Sequence, residues 1–211
     1  MSDTRQRLVD ATLRTLADRG IAGISARTIA TAAEVNQALV FYHFGSVDQL
    51  LATACREGAV ARVVTYRERF AAVTSLGELL VLGRALHHEE AGRGNVTVMA
   101  QVLAGARHDP RLVPAGREAI ALWVAEIEPV LARLLATSPV ADVVDVPGLA
   151  RGVAAAFIGI ELYDGVDPDA ATASLAALEQ LAVLVDVVDD LGQAARLAMR
   201  RRLRRAARAE H

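Results

Sequence analysis

The sequence predicts an all-α protein of about nine or ten helices. Three observations lead there. Aromatic residues make up only 4% of the 211 residues. Strand-type alternation is missing, and Ala, Leu, Val and Arg recur at helical spacing between short Gly- and Pro-containing turns. With 53% hydrophobic residues, the chain is long enough to close a helical body and a small appended domain without a disulfide or a metal.

The first helix is expected from Asp3 to Arg19, stopping at Gly20, with Leu8, Ala11 or Thr12, and Thr15 or Leu16 turned inward. Ser25 then stands at an N-cap position ahead of Arg27, Thr28, Ile29, Ala30 and Ala33, a second short helix with a small-residue inner face. Glu34 to Asn36 turns the chain into a third short helix, Asn36 to His43. After Gly45, Ser46 can cap a long fourth helix that carries Leu50, Leu51 and Ala54 onward to Phe70. The arrangement is a helix-turn-helix on a connecting rod.

Five further helices are expected: Ser75 to Glu90, Asn95 to Arg107, Pro110 to Ala136, Pro147 to Tyr163 and Asp169 to Asp190. Gly92-Arg93-Gly94, Asp109-Pro110, Ser138-Pro139 and Asp167-Pro168 punctuate them. The stretches Val153 to Leu162 and Leu175 to Val188 are apolar on nearly every face, whereas covering one core needs only one stripe. A second face is therefore expected against a partner subunit, in a four-helix homodimer interface through Ala155, Gly159, Leu175, Leu178, Ala182 and Val185. Gly152, Ala154, Ala155, Ala156 and Gly159 are small enough to let a helix approach. The tail holds seven arginines, Arg196, Arg200, Arg201, Arg202, Arg204, Arg205 and Arg208, and reads as a solvated terminus, with an accessory DNA or partner-subunit contact and then a membrane-surface attachment as the alternatives.

Composition narrows the function. All 23 basic residues are arginine, yet the net charge is −2, so the strong basicity of many nucleic-acid binders is absent. Mean hydropathy is +0.30, but the longest stretch without charge, Gly94 to Ala106, is too short to span a bilayer. The polar start, Met-Ser-Asp-Thr-Arg, lacks a signal core, so a cytoplasmic protein without membrane attachment is expected. Cys55 is the single cysteine and reads as packing. His87-His88-Glu89-Glu90 has no second ligand cluster and reads as a solvated helix end rather than a metal site. Neither a nucleophile with its base nor a phosphate loop is visible, so no catalytic residues, metal or cofactor are expected, and the chain is not read as an enzyme.

Residues 20–51, GIAGISARTIATAAEVNQALVFYHFGSVDQLL, resemble the DNA-binding domain of the TetR family of bacterial repressors. Thr28, Ile29-Ala30, Val35, Tyr42-His43-Phe44, Ser46 and Leu50-Leu51 answer to that family's pattern in its order. Three positions depart from it: Phe41 stands where a phosphate-binding Tyr is usual, Val47 where Lys is usual, and Glu34 where the turn glycine is usual. If Glu34 is left-handed, its side chain costs on the order of 1 kcal/mol. Over residues 1–50, Arg5, Arg7, Arg14, Arg19 and Arg27 balance Asp3, Asp10, Asp18, Glu34 and Asp48.

The resemblance implies a helix-turn-helix DNA-binding domain over 1–47, a ligand-binding and dimerisation domain over 48–195, and an Arg-rich tail over 196–211. It further implies that Val35, Val40 and Phe44 clamp the recognition helix, and that His43 lies beside the DNA backbone. In a major groove, Gln37 can read a base edge, and Ala38 and Leu39 can pack on thymine methyl groups. Arg27 can reach a guanine or a phosphate, and Ser25, Thr28, Asn36, Tyr42, His43 and Ser46 offer donors to the DNA backbone. The expected partners are a double-stranded operator, a second copy and a small-molecule effector of unknown identity. Met99, Gln101, Trp123, Ile127, Phe157 and Glu161 are the expected pocket residues, being larger or polar on otherwise small, apolar helices. The competing reading is a helical ligand-binding or scaffold protein with weak DNA affinity.

Overall fold

The computed structural model describes residues 2–91, 95–141, 143–189, 195, 197–202 and 205, and among these it is helical without strands. Nine α-helices follow in order: α1 (Ser2–Arg19), α2 (Ala26–Ala32), α3 (Ala38–Phe44), α4 (Val47–Ala72), α5 (Leu76–Ala91), α6 (Asn95–Ala106), α7 (Val113–Leu135), α8 (Val146–Asp164) and α9 (Pro168–Asp189). Two 3-10 turns, Ile21–Gly23 and Pro110–Leu112, complete the described elements. The expected helix from Pro110 thus divides: Asp109 accepts from the Arg111 amide and starts a separate 3-10 turn ahead of α7. The Gly92-Arg93-Gly94 turn lies outside the described residues, as do Arg196, Arg204 and Arg208 of the tail; residues 197–202 and 205 are helical.

The chain forms two compact units, one of Met1–Thr65 with Glu89–Trp123, the other of Tyr66–His88 with Val124–His211. Their boundaries fall within α4, α5 and α7.

In the first unit, α1 buries Leu8, Val9, Ala11, Thr12, Thr15 and Leu16. The two buried threonines return their hydroxyl protons to their own helix, Thr12 to the Leu8 carbonyl at 2.8 Å and Thr15 to that of Ala11 at 2.7 Å. One core joins Leu8, Val9 and Ala11 to Ile29, Ala30, Val40, Phe44, Leu50 and Ala54, which ties α1, α2, α3 and the start of α4 into a bundle. A second joins Leu16, Leu51 and Cys55 to Val98, Val102, Leu112 and Ala115. This second core welds α6 and the 3-10 corner to α1 and the start of α4. Gly105 permits the close approach: a Cβ there would lie 2.6 Å from Leu112 Cδ1. Burial also pushes the Cys55 thiol up to about 12.

In the second unit, α8 and α9 pack as a helical hairpin. Asp167 accepts from the Ala170 amide at 3.0 Å and caps α9. The α9 residues Leu175 and Ala182, expected at a subunit interface, are each only 5% exposed within the single chain and have no surface left to offer a partner. Ala155 and Gly159 are exposed, Leu178 is half-buried, and the Val185 side chain lies outside the described residues. By length and hydropathy α8 could cross a membrane, which the count of charge-free residues does not anticipate, although it carries Arg151 and Glu161.

The His87-His88-Glu89-Glu90 segment is only half solvated. His88 and Glu89 are exposed, whereas His87 and Glu90 are buried at 3% and 4%. The helical period explains the division, since positions three apart share a face. Glu90 meets Arg62 at 3.6 Å, and His87 meets Glu161 on α8.

Candidate nucleic-acid interface

α3 has two unlike faces. Val40 is fully buried and Phe44 is 8% exposed, while Asn36, Gln37, Ala38, Phe41 and Tyr42 stand in solvent. Val35 packs against the same core. A seven-residue helix cannot be stable alone, so α3 exists because its inner face is held by α1, α2 and α4. The outer face is left open, with polar Gln37 and Tyr42 beside apolar Ala38 and Phe41.

Side-chain oxygens cap each short helix end around this face. Ser25 Oγ accepts from the Thr28 amide at 3.1 Å and starts α2. Asn36 Oδ1 accepts from the Ala38 amide at 2.8 Å at the entry to α3. Ser46 Oγ accepts from the Gln49 amide at 3.1 Å and starts α4. The lone pairs used in capping leave the Asn36 amide protons and the Ser46 hydroxyl proton for an incoming acceptor, while the Ser25 and Thr28 hydroxyls spend one of their two protons on each other. Ser25 and Thr28 further share a hydroxyl contact of 2.6 Å.

The remaining expected contact residues divide by exposure. Arg27 is exposed on α2 and Thr28 half-buried. Tyr42 is 69% exposed, and its ring meets His43 edge-on at 5.0 Å. His43 itself is half-buried. Leu39 packs partly against the core behind α3, whereas Phe41, 49% exposed, presents the larger apolar surface outward. Helical geometry places Phe41 on the face of Gln37 and Ala38, four and three residues earlier, and that spacing is the signal available in the sequence.

The turn into α3 has a support that the sequence does not reveal. Glu34 is left-handed at φ 54. The Arg7 guanidinium donates to the carbonyls of Ala33 and of Glu34, the latter at 3.2 Å, and satisfies the oxygens that the ending helix exposes. On the same helix, Arg5 is paired with Glu57 of α4 at 2.7 Å and lies over the Phe44 ring at 5.3 Å. Gly45, at φ 74, makes the sharp link from α3 to α4.

The expected pocket residues fall in both units. Met99, Gln101 and Trp123 belong to the first, and all three are half-buried. Gln101 Oε1 is a buried acceptor without a hydrogen bond, close to Gly20. Ile127, Phe157 and Glu161 belong to the second. Ile127 is core, and Phe157 is half-buried. Glu161 is closed off with His87, whose Nδ1 lies 2.7 Å from Glu161 Oε1 and whose Nε2 lies 3.6 Å from Asp164 Oδ1.

Comparison with known proteins agrees with this geometry. The family model described as bacterial regulatory proteins, tetR family, matches residues 8–54, the span of the first core. The HTH-type transcriptional regulator BetI of Brucella anthropi is 33% identical over 82 residues, a match spanning 42% of that relative's length. A TetR-family member from Streptomyces coelicolor is 30% identical with a TM-score of 0.60, over 83% of this chain and 97% of that one. The multidrug binding protein EbrR, crystallised with proflavin, is also 30% identical, with a TM-score of 0.54 over 83% of this chain and 99% of that one. The all-helical fold and the helix-turn-helix segment are thus those of known regulators, and the chain belongs to the TetR family of bacterial transcriptional regulators.

Proposed function

We propose that this chain is a homodimeric, cytoplasmic repressor, released from its operator by a small apolar or amphipathic effector. One observation carries the DNA-binding part: the outer face of α3 exposes Gln37, Ala38, Phe41 and Tyr42 while its inner face is locked into a core. Such a helix, held behind and presenting both polar and apolar groups in front, suits insertion in a major groove, where amide and apolar side chains read base edges. Ser25, Arg27, Thr28, Asn36, His43 and Ser46 surround it with donors for phosphate. In this division of labour, 1–47 reads DNA, 48–195 senses and dimerises, and 196–211 is an appended tail.

Two features support the homodimer. The exposed stripe Gly152, Ala155, Ala156 and Gly159 on α8 is open, with nothing within 4 Å of a Cβ built at either glycine. Beyond it, Leu162, Tyr163 and Val166 are 51%, 48% and 83% exposed, an apolar surface that a second copy would cover. Two reading heads then stand roughly 34 Å apart on adjacent turns of DNA. An effector that favours a different separation weakens operator binding by linkage. The likeness to EbrR, a multidrug binding protein, supports a small organic effector. Within the first unit Met99, Gln101 and Trp123 are the candidates to meet it, Gln101 with its unpartnered buried oxygen; within the second it is Phe157, since Ile127 is core and Glu161 is engaged by His87. In this reading the chain is a switch and performs no chemistry.

Phe41, Val47 and the uncharged balance of residues 1–50 favour the second reading, a ligand-binding protein with weak DNA affinity. Fluorescence anisotropy with DNA flanking the chain's own gene, against scrambled DNA and across a salt series, separates the two. Tight, selective, salt-sensitive binding supports the repressor; binding no better than to scrambled DNA supports the alternative.

A further inference from the structure

The reader carries no net charge over residues 1–50, and Val47 leaves the first turn of α4 without a cation. A cation nevertheless stands there. Arg111, in the 3-10 corner between α6 and α7, places Nη1 3.4 Å from Asp48 Oδ1 on that first turn. The corner is fixed from behind by Leu112, buried at 2% in the core that holds Leu51.

The guanidinium is held in one orientation. Asp109 takes its Nε at 2.8 Å and its Nη2 at 2.6 Å, a two-pronged grip on one edge. Asp109 is itself anchored by the Arg111 amide at 3.0 Å. The other edge faces Asp48, which among the described residues is the partner of Nη1. Nη1 carries two protons, so one is left for another acceptor. Arg111 is 66% exposed and Asp48 45%, so the group is open to an incoming chain.

Position makes this more than a surface ion pair. Asp48 lies four residues beyond the end of α3, with only Gly45 and Ser46 between the two helices. A helix inserted in a major groove about 12 Å wide has phosphates on both flanks within a side chain's reach of its ends. A bare carboxylate at Asp48 would repel them.

We infer that Arg111 is a DNA-backbone contact: held between Asp48 and Asp109, it offsets one of their two negative charges and offers its free Nη1 proton to a phosphate beside the C-terminal end of α3. The site rests on the DNA-binding reading above and extends it to a residue far outside the helix-turn-helix segment. The contact takes phosphate and carries no base information.

The test uses the full chain, a duplex enriched by the wild-type protein from a random-sequence library, and a scrambled duplex of equal length. Arg111→Gln should weaken both by about five- to tenfold at 0.1 M salt, and make the slope of log K against log salt shallower by about 1. Asp48→Asn, which removes the acid and frees the guanidinium, should tighten both duplexes at least twofold. An unchanged slope in Arg111→Gln with wild-type melting shows that the arginine only holds its corner and overturns the inference. If Arg111→Gln is misfolded, Asp48→Asn decides, and unchanged or weaker binding overturns the inference. A wild-type protein that enriches no duplex defeats the DNA-binding reading, and this inference with it.

Discussion

His87 Nδ1 lies 2.7 Å from Glu161 Oε1, and the two side chains are 4% and 3% exposed. A histidine near the end of α5 and a glutamate in the last turn of α8, 74 residues apart, thereby close a polar contact inside the second unit, with Asp164 3.6 Å from the opposite ring nitrogen. Polar groups shut away from water need partners, so the contact ties α5 to α8. Glu161→Ala removes one partner and is expected to lose about 1–3 kcal/mol, the usual range for leaving a buried polar group without its hydrogen bond. Glu161→Gln keeps an acceptor and should lose clearly less. Urea midpoints at unchanged m-value measure both; equal, small losses would show that the pair does not hold these helices.

Glu34 sits at φ 54, a conformation in which Gly carries no steric penalty. Glu34→Gly is expected to stabilise the fold by on the order of 1 kcal/mol. The ion pair lost with it, to Arg7 at 3.9 Å on a side chain 89% exposed, contributes little. Arg7→Ala should act oppositely, destabilising by about 1 kcal/mol through the unsatisfied carbonyls of Ala33 and Glu34. Thermal melts of the two variants test the opposite signs.

The outer face of α3 separates binding from folding. Gln37→Ala and Tyr42→Ala remove exposed side chains, so stability should stay within about 0.5 kcal/mol of wild type. Anisotropy with operator DNA should show selective binding abolished in the double variant. A matching loss of stability would instead mean that these residues support the fold.

The proposed subunit interface on α8 can be tested without touching the single-chain core. Gly159→Arg places a long charged group where a built Cβ meets nothing within 4 Å. Light scattering after size exclusion should report a dimer for wild type and a monomer for this variant. An unchanged mass would move the interface off this stripe.

The Cys55 thiol, pushed from 9.0 to about 12 by burial, should resist thiol reagents in the folded protein at neutral pH and react once urea unfolds it. A pKa raised on folding means that the folded state favours the protonated form. The associated stability is complete below about pH 9 and is lost as pH rises toward 12. Cys55→Ala should remove that part of the alkaline decline in urea midpoint.

Local signals made much of this protein readable in advance. Caps and stops act within three or four residues, which is why Ser25, Ser46 and Gly20 mark helix ends where the structure has them. Periodicity likewise identifies Leu8, Ala11 and Leu16 as an inward stripe and leaves Gln37 and Tyr42 outside. The boundary at Asp109 was harder, since whether a turn closes as α or 3-10 there depends on the Asp109 side chain capturing the next amide but one.

By itself, then, the sequence determined the helical elements, their order, and the helix-turn-helix segment that marks the family, because each rests on residues close together in the chain. Only the tertiary structure decided which of several apolar or polar faces meets which neighbour. It buried His87 and Glu90 while leaving His88 and Glu89 in solvent, and it consumed Leu175 and Ala182 inside the subunit. It also carried Arg111 to Asp48, 63 residues away. The physical reason is that a periodic pattern shows that a face will be covered, whereas the partner is chosen by close packing of the whole chain, where contacts between distant residues are made or lost within an ångström.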